Sequence, residues 1–241
     1  MTRAISWAGL LIFAWGLLTA GFCWAQAAAV TGRIVVEGGA NAASAASTVV
    51  WLMPVGSAAS ATPVAPMHAV LAQKNKMFEP HMLVVTRGSS VDFPNRDPWF
   101  HNVFSLFNGK RFDLGLYEAG TSRTVHFDRE GVSFIFCNIH PEMSAVVVVL
   151  GSPYFATTTK TGDFTISDVP PGSYTFHVWN ESALPATLQA LSREIQVGDT
   201  AHSLGTIRLA VSKPSSVPHK NKYGQDYEPP SPNNPVYVQP Q

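Results

Sequence analysis

The sequence predicts an all-β protein made of β-sandwiches, and three observations carry that prediction. Short runs rich in Val, Ile, Phe, Tyr and Trp recur along the chain, several of them alternating apolar with polar residues. Turn residues, chiefly Gly, Pro, Asn and Asp, separate these runs at short intervals. No stretch carries a convincing helical period, and the Ala/Leu-rich Ala183 to Leu191 is the only candidate. Many short strands between Gly/Pro turns build antiparallel sandwiches, because each strand has one apolar face to bury.

The elements follow in order. Val30 to Val36 reads as a first strand and Thr48 to Met53 as a second, ended by Pro54. The Ala/Ser/Gly stretches Glu37 to Ser47 and Val55 to Pro66 carry little side-chain information and read as loops. Met82 to Thr86 and Ser90 to Phe93 are strands around the turn Arg87-Gly88, and Pro94 to Pro98 is a turn-rich corner. Asn108 to Gly120 has three glycines and little period, so it reads as an excursion between strands. Thr124 to Phe127, Gly131 to Phe136 and the β-branched run Ala145 to Val149 are strands.

A composition break at Gly151-Ser152-Pro153 divides residues 28–150 from a second small sandwich over residues 151–211. In that second unit Lys160 to Asp163 and Val169 to Ser173 are turns, Tyr174 to Trp179 alternates cleanly, and Arg193 to Val197 and Leu204 to Leu209 complete it. Residues 212–241 are rich in Pro, Asn, Ser and Lys with scarcely an aliphatic side chain, a composition expected to be disordered.

At the other end, Arg3 precedes an apolar run from Ile5 to Trp24, and Ala25-Gln26-Ala27 has the form of a cleavage site. Residues 1–27 therefore read as a signal peptide, which directs the chain to the periplasm and leaves no membrane span after cleavage. Losing Arg3 leaves 15 of the 16 basic residues against 16 acidic ones. A balance this near neutrality argues against nucleic acid or an anionic membrane surface as partner. With Cys23 removed, Cys137 is a lone thiol in a compartment that oxidises thiols, which asks for burial, an intermolecular disulfide or a metal.

The heptad Cys137-Asn138-Ile139-His140-Pro141-Glu142-Met143 answers that question with chemistry. It lies between two strands, so it is a tight loop at one end of a sheet, and it offers a thiol, an imidazole and a thioether at spacings of three. Burial alone accounts for the cysteine but not for the His and Met beside it. The segment Pro98-Trp99-Phe100-His101-Asn102-Val103-Phe104 supplies a second imidazole. His101, Cys137 and His140 with a weak axial Met143 form the soft donor set of a type 1 copper site. Zinc takes Cys and His but has little use for Met. His68, His81, His126, His177, His202 and His219 have no such context, and no Cys-x-x-Cys-His for covalent haem is present.

On these residues the chain resembles the cupredoxins, and among them amicyanin and its bacterial relatives. The shared pattern is His-Asn-Val at His101 and Cys-x-x-His-x-x-Met at Cys137, with Phe78-x-Pro80, Val85-x-x-Gly88 and Val91-x-Phe93-x-Asn95 leading to the first ligand. The resemblance implies a Greek-key sandwich holding one copper ion, and a non-enzymatic carrier of single electrons between protein redox partners. It also implies that Asn102 ties the two ligand loops together and that Asn138 aims its backbone N–H at sulfur. An exposed edge of His140, ringed by Pro141, Trp99 and Phe100, would be the docking point. The second unit, with Gly162-Asp163-Phe164 and Val169-Pro170-Pro171-Gly172-Ser173-Tyr174, looks like a carboxypeptidase regulatory-like (transthyretin-like) β-sandwich. Two other readings stay open: a copper carrier or sensor that passes no electrons, and a two-sandwich scaffold or adhesion protein with a vestigial site.

Overall fold

In the computed structural model, residues 28–38, 47–56, 63–106, 109–211 and 219–227 are described. The expected signal peptide over residues 1–27 lies outside them, as do residues 39–46 and 57–62 of the two Ala/Ser loops. The chain opens with β1 (Ala28–Glu37) and β2 (Thr48–Pro54). It continues through β3 (His68–Val70), β4 (Ala72–Lys74), β5 (Met77–Glu79), β6 (Met82–Thr86), β7 (Ser89–Pro94) and β8 (His101–Ser105). Next come β9 (Phe112–Tyr117), β10 (Ser122–Phe127), β11 (Gly131–Phe136) and β12 (Ser144–Leu150). The remainder is β13 (Phe155–Thr157), β14 (Asp163–Val169), β15 (Gly172–Asn180), α1 (Pro185–Leu191), β16 (Arg193–Val197) and β17 (His202–Ala210). The all-β expectation holds, with α1 falling within the one candidate stretch, Ala183 to Leu191.

The strands form two sandwiches. One joins the five-stranded sheet β6-β12-β11-β8-β9 to the sheet β10-β7-β3 and the β4-β5 hairpin, around a core that includes Phe93, Val103, Phe127, Ile135 and Val147. The other joins β14-β1-β17 to β13-β2-β15-β16 around Val30, Ile34, Leu52, Phe164, Tyr174 and Phe176.

This pairing corrects the boundary expected at residue 150. β1 runs beside β14 and β17, from Ala28 opposite Val169 to Glu37 opposite Ala210, and β2 lies between β13 and β15. Both opening strands therefore belong to the second sandwich, and the chain enters the first one only at β3. Gly162 shows how tightly β1 is held there. It sits at φ +84°, and a Cβ on it would come within 2.0 Å of the Ile34 carbonyl oxygen. Only glycine allows that approach without a shift of the backbone.

The sandwiches share a face, and β12 explains how. Ala145, Val147 and Val149 point into the first core, whereas Val146, Val148 and Leu150 pack with Val49, Trp51, Phe134 and Trp179 between the sandwiches. A strand buried on both sides has no polar face, which is why Ala145 to Leu150 is an unbroken apolar run. His81 adds an ion pair across the two units: its Nε2 lies 2.7 Å from Glu181 Oε2 and its Nδ1 3.1 Å from the Ser144 carbonyl oxygen.

A second correction concerns the excursion Asn108 to Gly120, which contains β9. Gly115 at φ +69° and a register shift against β8 between Asn102 and Phe104 break the alternation that would reveal a strand. Among the described residues no helix is long and apolar enough to cross a membrane.

Candidate metal centre

The site forms where β8 begins and β11 ends. β8 and β11 are antiparallel neighbours with Phe104 opposite Phe136, so His101 and Cys137 come out at the same end of the sheet. The heptad then closes as a tight loop: Cys137 N–H donates to the Met143 carbonyl at 3.3 Å, and Met143 N–H to the His140 carbonyl at 3.1 Å. Those two bonds fold His140 back over Cys137.

Three of the residues expected from the sequence converge. His101 Nδ1 and His140 Nδ1 are 3.1 Å apart, and Cys137 Sγ lies 3.9 Å from the first and 3.6 Å from the second. Metal bonds of about 2.0 Å to nitrogen and 2.3 Å to sulfur, spread evenly, would need a triangle with sides of about 3.5 to 3.7 Å. The observed triangle is close to that, and all three residues are buried, so they could hold a metal ion. Met143 is fully buried in the same core as Cys137.

The surroundings fix the donors. His101 Nε2 lies 2.8 Å from Asp97 Oδ2, which directs Nδ1 into the site. Asp97 also accepts from Asn75 N–H at 2.6 Å and Lys76 N–H at 2.9 Å, two residues at φ 55° in the β4-β5 turn. Asn95 holds the corner in turn, its Oδ1 accepting Asp97 N–H at 3.1 Å and its side-chain amide donating to the Trp99 carbonyl at 2.8 Å. Lys76 sits over the Trp99 ring at 5.2 Å.

Around the sulfur the expectation is modified. Burial, with the Glu142 charge added to it, pushes the Cys137 thiol up overall, and backbone N–H bonds from Asn102, Ile139 and His140 offset this only in part. The link between the ligand strands is thus the backbone of Asn102, and its side chain instead donates to Asp113 Oδ1 at 2.7 Å. The Asn138 side-chain oxygen accepts Lys222 N–H at 2.9 Å.

His140 also differs from expectation, since it is 2% exposed and offers no open edge. Exposed residues near His101 and His140 in sequence include Pro98, Phe100, Pro141 and Glu142. Nor is all of the tail featureless. Residues 219–227 pack against the Cys137 loop, where a composition of Pro, Asn and Lys signalled disorder.

Sequence reasoning missed Asp97, although a signal was present: a carboxylate four residues before a ligand imidazole, in a corner closed by Pro94 and Pro98. Burial alone would raise the Asp97 carboxyl, but the bonds from Lys76, His101 and Asn75 outweigh it and hold the carboxyl below its ordinary range. Replacing Asp97 with Asn should therefore weaken metal affinity by about 10- to 100-fold, the usual cost of losing the partner that aims a ligand histidine. Competition with a chelator measures this, and unchanged affinity would contradict the assignment.

Burial lowers the pKa of both imidazoles, and for His140 the nearby His101 and Lys76 add to it, bringing it down to about 4. An imidazole whose folded pKa lies below its unfolded value of about 6.5 takes up its proton mainly on unfolding. The metal-free chain should hold this contribution fully above about pH 6.5 and lose it as pH falls toward 4, by about 3 kcal/mol. Urea unfolding of the metal-free chain across that range checks it, with His140→Gln expected to flatten the dependence.

No protein-family model matches the chain, and no curated protein does. Among solved structures it is similar to a purple cupredoxin from Nitrosopumilus maritimus, at 26% identity and TM-score 0.31 over 34% of this chain and 99% of that one. It is similar to amicyanin from Paracoccus versutus at 19% identity and TM-score 0.32, over 41% of this chain and 91% of that one. A copper-containing nitrite reductase from Thermus scotoductus SA-01 matches at 20% identity and TM-score 0.33, over 48% of this chain and 28% of the reductase.

Proposed function

We propose that the protein is a type 1 copper protein, exported to the periplasm, that carries single electrons between protein partners. The observation that carries this reading is the buried triangle of two imidazole nitrogens and one sulfur. Copper bound there would supply a one-electron Cu(II)/Cu(I) couple.

The residues of the chain do the rest. His101, Cys137 and His140 would hold the ion, and Met143, buried in the same core, would be a further, weaker donor. Asp97 keeps His101 in one tautomer, and the N–H groups of Asn102, Ile139 and His140 stabilise negative charge on sulfur. The β-sandwich fixes these donors before the metal arrives, so little has to move when an electron is gained or lost. The burial of Cys137, His101 and His140 would keep water off a bound ion. With His140 covered, a partner would dock on the rim formed by Phe100 and Pro141. The chain's near-neutral charge favours apolar docking over long-range steering.

Met143→Leu should leave a coloured site with a shifted reduction potential, because the axial donor tunes the couple without making the colour. A potential indistinguishable from that of the original chain would remove Met143 from the ligand set. The function itself is tested by a spectroelectrochemical titration of the copper-loaded chain. A reversible one-electron wave with fast self-exchange supports a carrier of electrons. Copper held tightly with no reversible wave would point instead to a carrier or sensor of the metal.

A further inference from the structure

The outer face of the five-stranded sheet carries a row of side chains that the copper reading leaves without a role. Phe104 and Phe136 are 0% and 1% exposed, yet neither belongs to the core around the site or to the face shared with the second sandwich. Phe136 is covered by the tail: the His219 ring stacks on it at 3.8 Å and 17°. His219 in turn meets the ring of Tyr227 edge-on at 5.3 Å.

From that anchor the tail reaches the cysteine by two routes. Tyr227 donates its hydroxyl to the Cys137 carbonyl at 2.9 Å, and Lys222 N–H donates to Asn138 Oδ1 at 2.9 Å, so both grip the ligand turn directly. The second route is a relay. Lys222 Nζ lies 2.8 Å from Asp113 Oδ2, Asp113 Oδ1 accepts from Asn102 Nδ2 at 2.7 Å, and Asn102 N–H bonds to Cys137 sulfur. Two ends of one short segment thus act on the same residue, one through its carbonyl and one through its sulfur.

We propose that residues 219–227 form a built-in strap that fixes the Cys137 turn and sets the charge around its sulfur, with Lys222 and Tyr227 as positioning residues. The strap continues the cover that the second sandwich gives to Val132 and Phe134 on the same strand. The part of the inference that concerns reduction potential rests on the copper reading, whereas the part that concerns the turn does not. An electron arriving at the site adds one negative charge, so the Lys222 ammonium favours the reduced form. Removing it leaves the Asp113 carboxylate unpaired beside Asn102 and disfavours that form.

The test uses the full chain. In the metal-free protein, the rate of Cys137 alkylation by iodoacetamide reports how often the turn opens. The double variant Lys222→Met/Tyr227→Phe, with circular dichroism unchanged, should alkylate about tenfold faster, as the loss of one or two net hydrogen bonds allows. Alkylation at the original rate would overturn the strap. In the copper-loaded protein, Lys222→Met should lower the reduction potential and Lys222→Arg should restore it. Equal potentials for the two variants would overturn the electrostatic role of Lys222. A chain that binds no copper but alkylates faster in the double variant would sink the copper reading while supporting the strap.

Discussion

Replacing Cys137 with serine is expected to abolish the intense visible absorption of the copper-loaded protein and to weaken copper binding by at least about 100-fold, more than the loss of an outlying partner costs. The thiolate is the soft donor whose bond to Cu(II) gives such a site its colour. A serine hydroxyl is a harder donor that stays protonated at neutral pH, so it neither binds as an anion nor supplies the charge-transfer band. Burial holds the metal-free Cys137 as a thiol, the N–H groups of Asn102, Ile139 and His140 offset that only in part, and a bound cation would supply the charge that makes the thiolate favourable. With serine those donors face a neutral oxygen, and the two imidazoles remain as a bidentate site. The fold should survive, because Cys137 packs as one small residue in a large core. A copper titration followed by absorbance, with near-ultraviolet circular dichroism as a check on folding, decides it. An intensely blue Cys137→Ser protein would sink the assignment.

The second large effect concerns the chain's architecture. A chain ending at Leu150 should not yield a folded copper unit with two spare strands, although the composition break after Leu150 suggests such a cut. β1 pairs with β14 and β17, and β2 with β13 and β15, so every strand partner of both is lost. Ala28, Val30, Ile34, Val50 and Leu52, all buried, would face water. At about 1.5 to 3 kcal/mol for each of the larger side chains, that exposes on the order of 10 kcal/mol of apolar burial. The cut also uncovers Val146, Val148 and Leu150 on the outer face of β12. We expect aggregation and strong binding of a hydrophobic dye, read by size-exclusion chromatography and fluorescence. A monomeric 28–150 chain with a cooperative melt would contradict the strand pairing.

These two predictions mark what the sequence makes legible. The triangle of His101, Cys137 and His140 could be read directly, because the loop is short and bounded by strands, and spacing within a short loop constrains where donors can go. The strands were equally visible wherever alternation or a β-branched run survived. The two-sided burial of β12 was latent in its unbroken Ala145 to Leu150 run. What escaped was pairing across long sequence distances. Ala28 faces Val169, and nothing local in either strand says so. The break at Gly151-Ser152-Pro153 marks where the chain leaves one sandwich, which is not where that sandwich's sequence begins and ends.

The remaining misses share a cause. Each depends on a single side chain meeting a partner far along the chain, without a repeating pattern. Lys222, Tyr227 and His219 lie in a segment whose composition cannot build a core, yet each finds a ready partner on the first sandwich. The buried state of His140 likewise depends on packing that the heptad alone does not specify. β9 was hidden by Gly115 and by the irregular register against β8.

The most direct test of the central claim is visible absorption with electron paramagnetic resonance on the full chain after addition of Cu(II). A thiolate-bound site predicts intense blue absorption and an unusually narrow copper hyperfine splitting. A pale spectrum with ordinary splitting would mean that Cys137 does not bind copper, and it would contradict the account.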